Sequence, residues 1–116
     1  MEQIKVFELT GRNAISMQNG EKLYKALHKN LIEGDRIEVN FEKVTLFASP
    51  FFNASIGLLL KDISVEKLQQ QLSVTNLSDV GRDLLNHVIS NAIIFYKNSD
   101  NVSKAIDQNE VDNKNE

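Results

Sequence analysis

The chain has 116 residues, the size of one domain with one buried core. Apolar residues make up 41% and charged residues 25%, which excludes wholesale disorder, and a net charge of −3 leaves no basic surplus to draw nucleic acid. The absence of cysteine excludes disulfides, thiolate catalysis and sulfur-bound zinc. The start, MEQIKVFELT, lacks a basic segment leading into an apolar one, so no signal peptide is expected. The apolar runs at Ile56–Leu60 and Ala92–Phe95 are too short to span a bilayer. The expected location is the cytoplasm, with neither nucleic acid nor membrane as partner.

Ile4–Leu9 is predicted to be the first strand, closed by Thr10-Gly11. A loop to Gly20 follows, with a short second strand at Ala14–Met17. Glu21–Glu33 is predicted as a helix because Leu23, Leu27 and Leu31 fall on one face. Gly34 stops it as the residue after the cap. Arg36–Phe41 is the clearest strand: Ile37, Val39 and Phe41 alternate with Arg36, Glu38 and Asn40. Its polar side places it either at a sheet edge or under a face that is only partly covered.

After Val44–Ala48, Ser49 is predicted to cap a helix running from Pro50 to about Asp62, with the chain's one proline in its first turn. That helix is apolar nearly all round, so it is buried or covered by a partner. Of Phe51 and Phe52, one is expected in the core and the other near the surface, at an interface. Gly57 inside the helix is expected to mark close packing on the sheet. Ser64–Gln71 is a short helical or turn segment, and Leu72–Thr75 a short strand. Ser78 caps a last helix from Asp79 to about Lys97, with Leu77 stapling its start. Val80, Leu84, Leu85, Val88, Ile89, Ala92, Ile93 and Tyr96 form its expected inner face. Gly81, in its first turn, either permits a close approach or is merely tolerated. Residues 1–98 are expected to be the domain. Residues 99–116 form a polar tail, disordered or else an amphipathic end that folds on a partner. The alternation β-α-β-α-(α)-β-α predicts an α/β domain with a small, mainly parallel or mixed sheet covered by helices.

Little here carries chemistry. The two histidines, His28 and His87, lie inside predicted helices, the first solvated and the second beside the inner stripe. Neither has HxxxH or HExxH spacing, and the glycines form no phosphate-binding loop, so no metal, cofactor or catalytic residue is expected. A hydrolase or transferase using Ser49 with His87 ranks last, because no positioned base and orienter accompany them. Ser49 instead stands where open α/β sheets bind ligands and partners, at the C-terminal end of a strand. Ser49, Phe51, Phe52 and Asn53 are therefore the candidate partner-binding residues. A phosphate on Ser49 would meet the favourable end of a helix dipole.

The stretch Ile37–Leu60 ends a strand in Asn40-Phe41-x-x-Val44 and then sets Ser49-Pro50-Phe51-Phe52-Asn53 at the start of an apolar helix. Val74-Thr75-Asn76-Leu77-Ser78 opens the last helix, and Leu31–Arg36 forms the junction between helix and strand. This pattern resembles the STAS domains of anti-sigma factor antagonists. It is more closely similar to a STAS-like family of uncharacterised bacterial proteins, over about Gly20 to Tyr96. The resemblance implies a STAS-like fold and a regulatory protein-binding role. It implies a histidine-kinase-like ATPase as partner and Ser49 as the phosphorylated position. The chain departs from the antagonists at Ala48, where they carry aspartate, and at Pro50, where they carry a small residue. Both departures bear on phosphorylation and neither on the fold. The alternatives are a module that binds a nucleotide or lipid, as some STAS domains do, and a homodimer built on the apolar helices.

Overall fold

Three parallel strands carry the fold in the order β1-β3-β5: β1 (Glu2–Lys5), β3 (Ile37–Asn40) and β5 (Leu72–Thr75). The computed structural model describes residues 2–109, with side chains described to Lys97. The first strand is shorter than expected. Its sheet neighbour β3 ends at Asn40, opposite Lys5, so the chain has no ladder to follow further. Val6 turns inward, fully buried, and Val6–Thr10 winds into a short helix α1. Gly11 closes it: its N–H donates to the Phe7 carbonyl at 2.8 Å, and its φ of 75° suits only glycine well.

The second strand, β2 (Asn13–Ala14), is two residues long and ends before the expected Met17. Ser16 explains the difference. Its Oγ accepts from the Asn19 N–H at 3.1 Å, so helix α2 (Met17–Ile32) starts a turn earlier than expected. Leu23, Leu27 and Leu31 form its buried stripe, and Gly34 ends it with a φ of 93°. The predicted stripe and stop both stand.

Strand β3 is central rather than at an edge. Ile37 and Val39, with Phe41 just beyond, are fully buried against the helices. Its other face is shared by rows Gln3, Glu38, Ser73 and Lys5, Asn40, Thr75, of which Gln3, Lys5 and Ser73 are exposed. The partly covered face, not an edge position, accounts for the polar alternation.

Strand β4 (Leu46–Phe47) pairs with β2 in a separate parallel ribbon. The helix expected over Pro50–Asp62 is two pieces, α3 (Ser49–Ala54) and α4 (Ile56–Leu59). Ser55 breaks it: this fully buried residue leaves helical geometry, and its Oγ donates to the Phe51 carbonyl at 2.8 Å. Helix α5 (Val65–Gln71) is capped by Ser64, and β5 follows as expected.

Helix α6 spans Asp79–Asn109, past the expected end at Lys97 and into the expected tail; residues 110–116 lie outside the described residues. The Ser78 Oγ accepts from the Gly81 N–H at 3.1 Å, as its cap role predicts. Gly81, Leu85 and Val88 are the buried stripe of this helix. Val80 and Ile93, expected to face inward, are exposed, because α3 and α4 cover only a narrow strip of it. Gly57 packs closely, but on Val88 of α6 rather than on the sheet: a Cβ there would lie 3.1 Å from Val88 Cγ1. The result is an α/β fold of small parallel sheets packed on helices.

Candidate functional site

The C-terminal ends of β3 and β5 are joined by side chains. Asn40, at the end of β3, is 8% exposed, and its Oδ1 accepts two hydrogen bonds. One comes from the Glu42 N–H and the other from Asn76 Nδ2, each at 2.9 Å. Asn76 follows β5 with a φ of 57°, a left-handed conformation that asparagine tolerates better than most residues. The Thr75 carbonyl accepts from the Phe41 N–H at 2.9 Å, and Thr75 Oγ1 donates to Glu38 at 2.7 Å. The Asn40-Phe41 and Asn76-Leu77-Ser78 motifs, distant in sequence, thus form one polar junction.

The chain from Phe41 to Ala48 is stitched onto the β2 segment. The Thr45 and Leu46 N–H groups donate to the Arg12 carbonyl, and the Ala48 N–H donates to the Ala14 carbonyl at 3.1 Å. Phe47 is the hub beneath: its ring lies 6.0 Å from those of Phe41 and Phe52, stacked on the latter. Gly81 sits against the same ring, and a Cβ there would come within 3.2 Å of Phe47 and 2.6 Å of Leu77. Gly81 therefore permits a close approach. Leu77 rests over Gly81, at the start of the helix it was expected to staple.

The four candidate residues separate. Ser49 is half-buried and is the first residue of α3, not its cap; Ala48 holds that place in an extended conformation. The Ala48 carbonyl accepts from the Phe51 N–H, and no side chain caps the helix. Phe51 and Phe52 are both fully buried, so neither ring reaches a partner. The reason is that α3 packs between α2 and α6. Gly20 of α2 comes so close that a Cβ there would meet the Phe51 carbonyl oxygen at 2.5 Å, so both flanks of the helix are covered. Asn53 is exposed, one turn after Ser49, and lines a hollow with Gly57, Asn91, Ala92, Phe95 and Tyr96 beside α6.

Exposed apolar groups lie elsewhere, on α6 at Val80, Ile94 and Phe95 and on and beside the β2–β4 ribbon. Leu46 is 54% exposed on the outer face of the β2–β4 ribbon, while Ala14 and Phe47 face inward. Ile15 and Met17, at 41% and 55%, follow on the chain that pairs with Ala48. Leu46, Ile15 and Met17 thus make an apolar rim on hydrogen-bonded or adjoining backbone, and β4 leads on through Ala48 to Ser49 and the exposed Pro50. Alternation through Leu46-Phe47-Ala48 was the one available signal for this rim. A two-residue strand is too short to display it.

The histidines stand apart. His87 is exposed on α6, and among the described residues no hydrogen bond joins it to Ser49. His28 is not simply solvated: its Nε2 lies 3.0 Å from Asp62 Oδ2 and its ring stacks on Tyr24. Burial raises the Tyr24 hydroxyl above its ordinary pKa, with added contributions from the Asp62 carboxylate and Tyr96. Tyr96 is raised by the same burial and carboxylate. Among the described residues no group of three or more His, Asp or Glu is placed to hold a metal ion, and no helix is long and apolar enough to cross a membrane.

A parallel β1-β3-β5 sheet, helices over one face and a loop junction at the strand ends define a small α/β domain of STAS-like architecture. The family model for the STAS-like domain of unknown function (DUF4325) matches residues 19–82, and the chain belongs to that family. The match takes in most of α2, β3, Ser49 and the Asn40 and Asn76 motifs, and stops shortly after α6 begins. Neither the curated proteins nor the solved structures yield a match.

Proposed function

We propose that this chain is a non-enzymatic regulatory module that binds another protein through the strand-end surface around Ser49. On this reading the partner is a histidine-kinase-like ATPase, and Ser49 is the position whose phosphorylation would end the association. The observation that carries it is the apolar rim. Leu46, Ile15 and Met17 stand exposed on neighbouring backbone segments, and clustered exposed apolar side chains favour an interface. The choice of partner class is taken from the sequence resemblance to anti-sigma factor antagonists, with which a STAS-like family match is consistent. A phosphate on half-buried Ser49 would bring charge and hydration into that rim and weaken apolar docking.

The test is a binding titration of the full chain against purified histidine-kinase-like ATPases from the same organism. The reading expects one of them to bind, and Leu46→Asp to weaken that binding at least about tenfold, as a charge in a desolvated interface does. Phosphate transfer to Ser49, checked by mass measurement against Ser49→Ala, tests the switch. Absence of binding across the set, or binding that Leu46→Asp leaves unchanged, contradicts the reading.

A further inference from the structure

We infer that Asn40 and Asn76 form a clasp that makes the β3–β4 loop and the β5–α6 turn move as one unit. The amide of Asn40 is almost fully buried, a placement that is costly without partners. Its Oδ1 has two lone pairs, and both are used. The Glu42 N–H bond folds the start of the β3–β4 loop back onto its own strand. The Asn76 bond crosses to the other loop. A second link closes the circuit on the apolar side. Asn76 leads into Leu77, which lies over Gly81, and Gly81 lies against Phe47 at the far end of the β3–β4 loop. The loops are therefore tied at both ends, by an amide pair and by an aromatic contact. A displacement of one drags the other.

Asn40 and Asn76 are positioning residues: they set the path of the chain that carries Leu46 to Ser49. The consequence for partner binding rests on the proposed docking surface; the coupling itself does not.

The experiment is amide hydrogen exchange on the full chain, comparing wild type with two variants. Asn76→Gly keeps the left-handed backbone available and removes only the side chain. Loss of one neutral hydrogen bond should speed exchange about fivefold in residues 42–46 and 79–82 together, with Val39 unchanged. Asn40→Leu, which removes both acceptor positions, should match or exceed Asn76→Gly. Exchange that rises in one loop only, in neither, or throughout the core including Val39 overturns the clasp. The same variants are titrated with the histidine-kinase-like ATPase that binds the wild type. If exchange rises in both loops while binding is unaltered, the coupling stands and the docking surface is wrong.

Discussion

Leu46 and Phe52 belong to one short stretch of chain and have similar chemistry, yet one is 54% exposed and the other fully buried. The difference comes from what lies above each. Phe52 sits on α3, which packs against α2 and α6, and Phe41, Phe47 and Phe51 surround its ring. Leu46 projects from the outer face of a two-stranded ribbon with Asn13 beside it and no covering layer among the described residues. The comparison teaches that apolar character in this stretch serves two ends: the α3 side builds the core, and the ribbon side builds a surface.

The strongest way to break that division is to cut into its buried half. Phe52→Ala should cost about 3–5 kcal/mol, the range for truncating a buried aromatic, as read by denaturant titration. A loss below about 1 kcal/mol would mean that Phe52 is not core. The α2–α3 crossing gives a second, smaller effect. Gly20→Ala puts a methyl against a backbone oxygen that cannot rotate away, and should destabilise by about 1–3 kcal/mol. Gly81→Ala should cost less, because the atom in its way is the end of the Leu77 side chain, which has other rotamers. If the two substitutions cost the same, the crossing is looser than described.

The exposed half should respond in the opposite sense. Leu46→Asp should change stability by no more than about 0.5 kcal/mol while weakening partner binding at least about tenfold. A large loss of stability would place Leu46 in the core and erase the distinction. The smallest effect lies at the Tyr24–Tyr96–Asp62 cluster. Each hydroxyl is raised above its ordinary value of 10.0, so folding favours the neutral tyrosine. That contribution is fully present below pH 10.0 and is lost as pH rises through the raised folded value. Stability measured from pH about 9 to about 11.5 should fall less steeply in Tyr24→Phe than in wild type. Equal slopes would remove Tyr24 as a contributor.

Much of the fold was legible in local pattern. The leucine spacing in α2, the alternation in β3, the stop at Gly34 and the cap at Ser78 each follow from periodicity or backbone chemistry at one position. What escaped depended on tertiary partners. β1 ends where β3 ends, the helix after Pro50 breaks because a buried serine bonds back to Phe51, and β3 is central because strands on both sides reach it. The site was legible in part. Ser49 lies at the strand end as its position implied, but a run of apolar letters could not say that both Phe51 and Phe52 would turn inward. Asn40 and Asn76 were visible as parts of two motifs; only the fold brings their side chains together.

The most direct test of the account is the titration of wild type and Leu46→Asp against the same purified histidine-kinase-like ATPase, with His87→Ala as an exposed control on α6. The account predicts that wild type and His87→Ala bind alike and that Leu46→Asp binds at least about tenfold more weakly with its fold intact. Equal binding by all three chains, or binding by none, would contradict it.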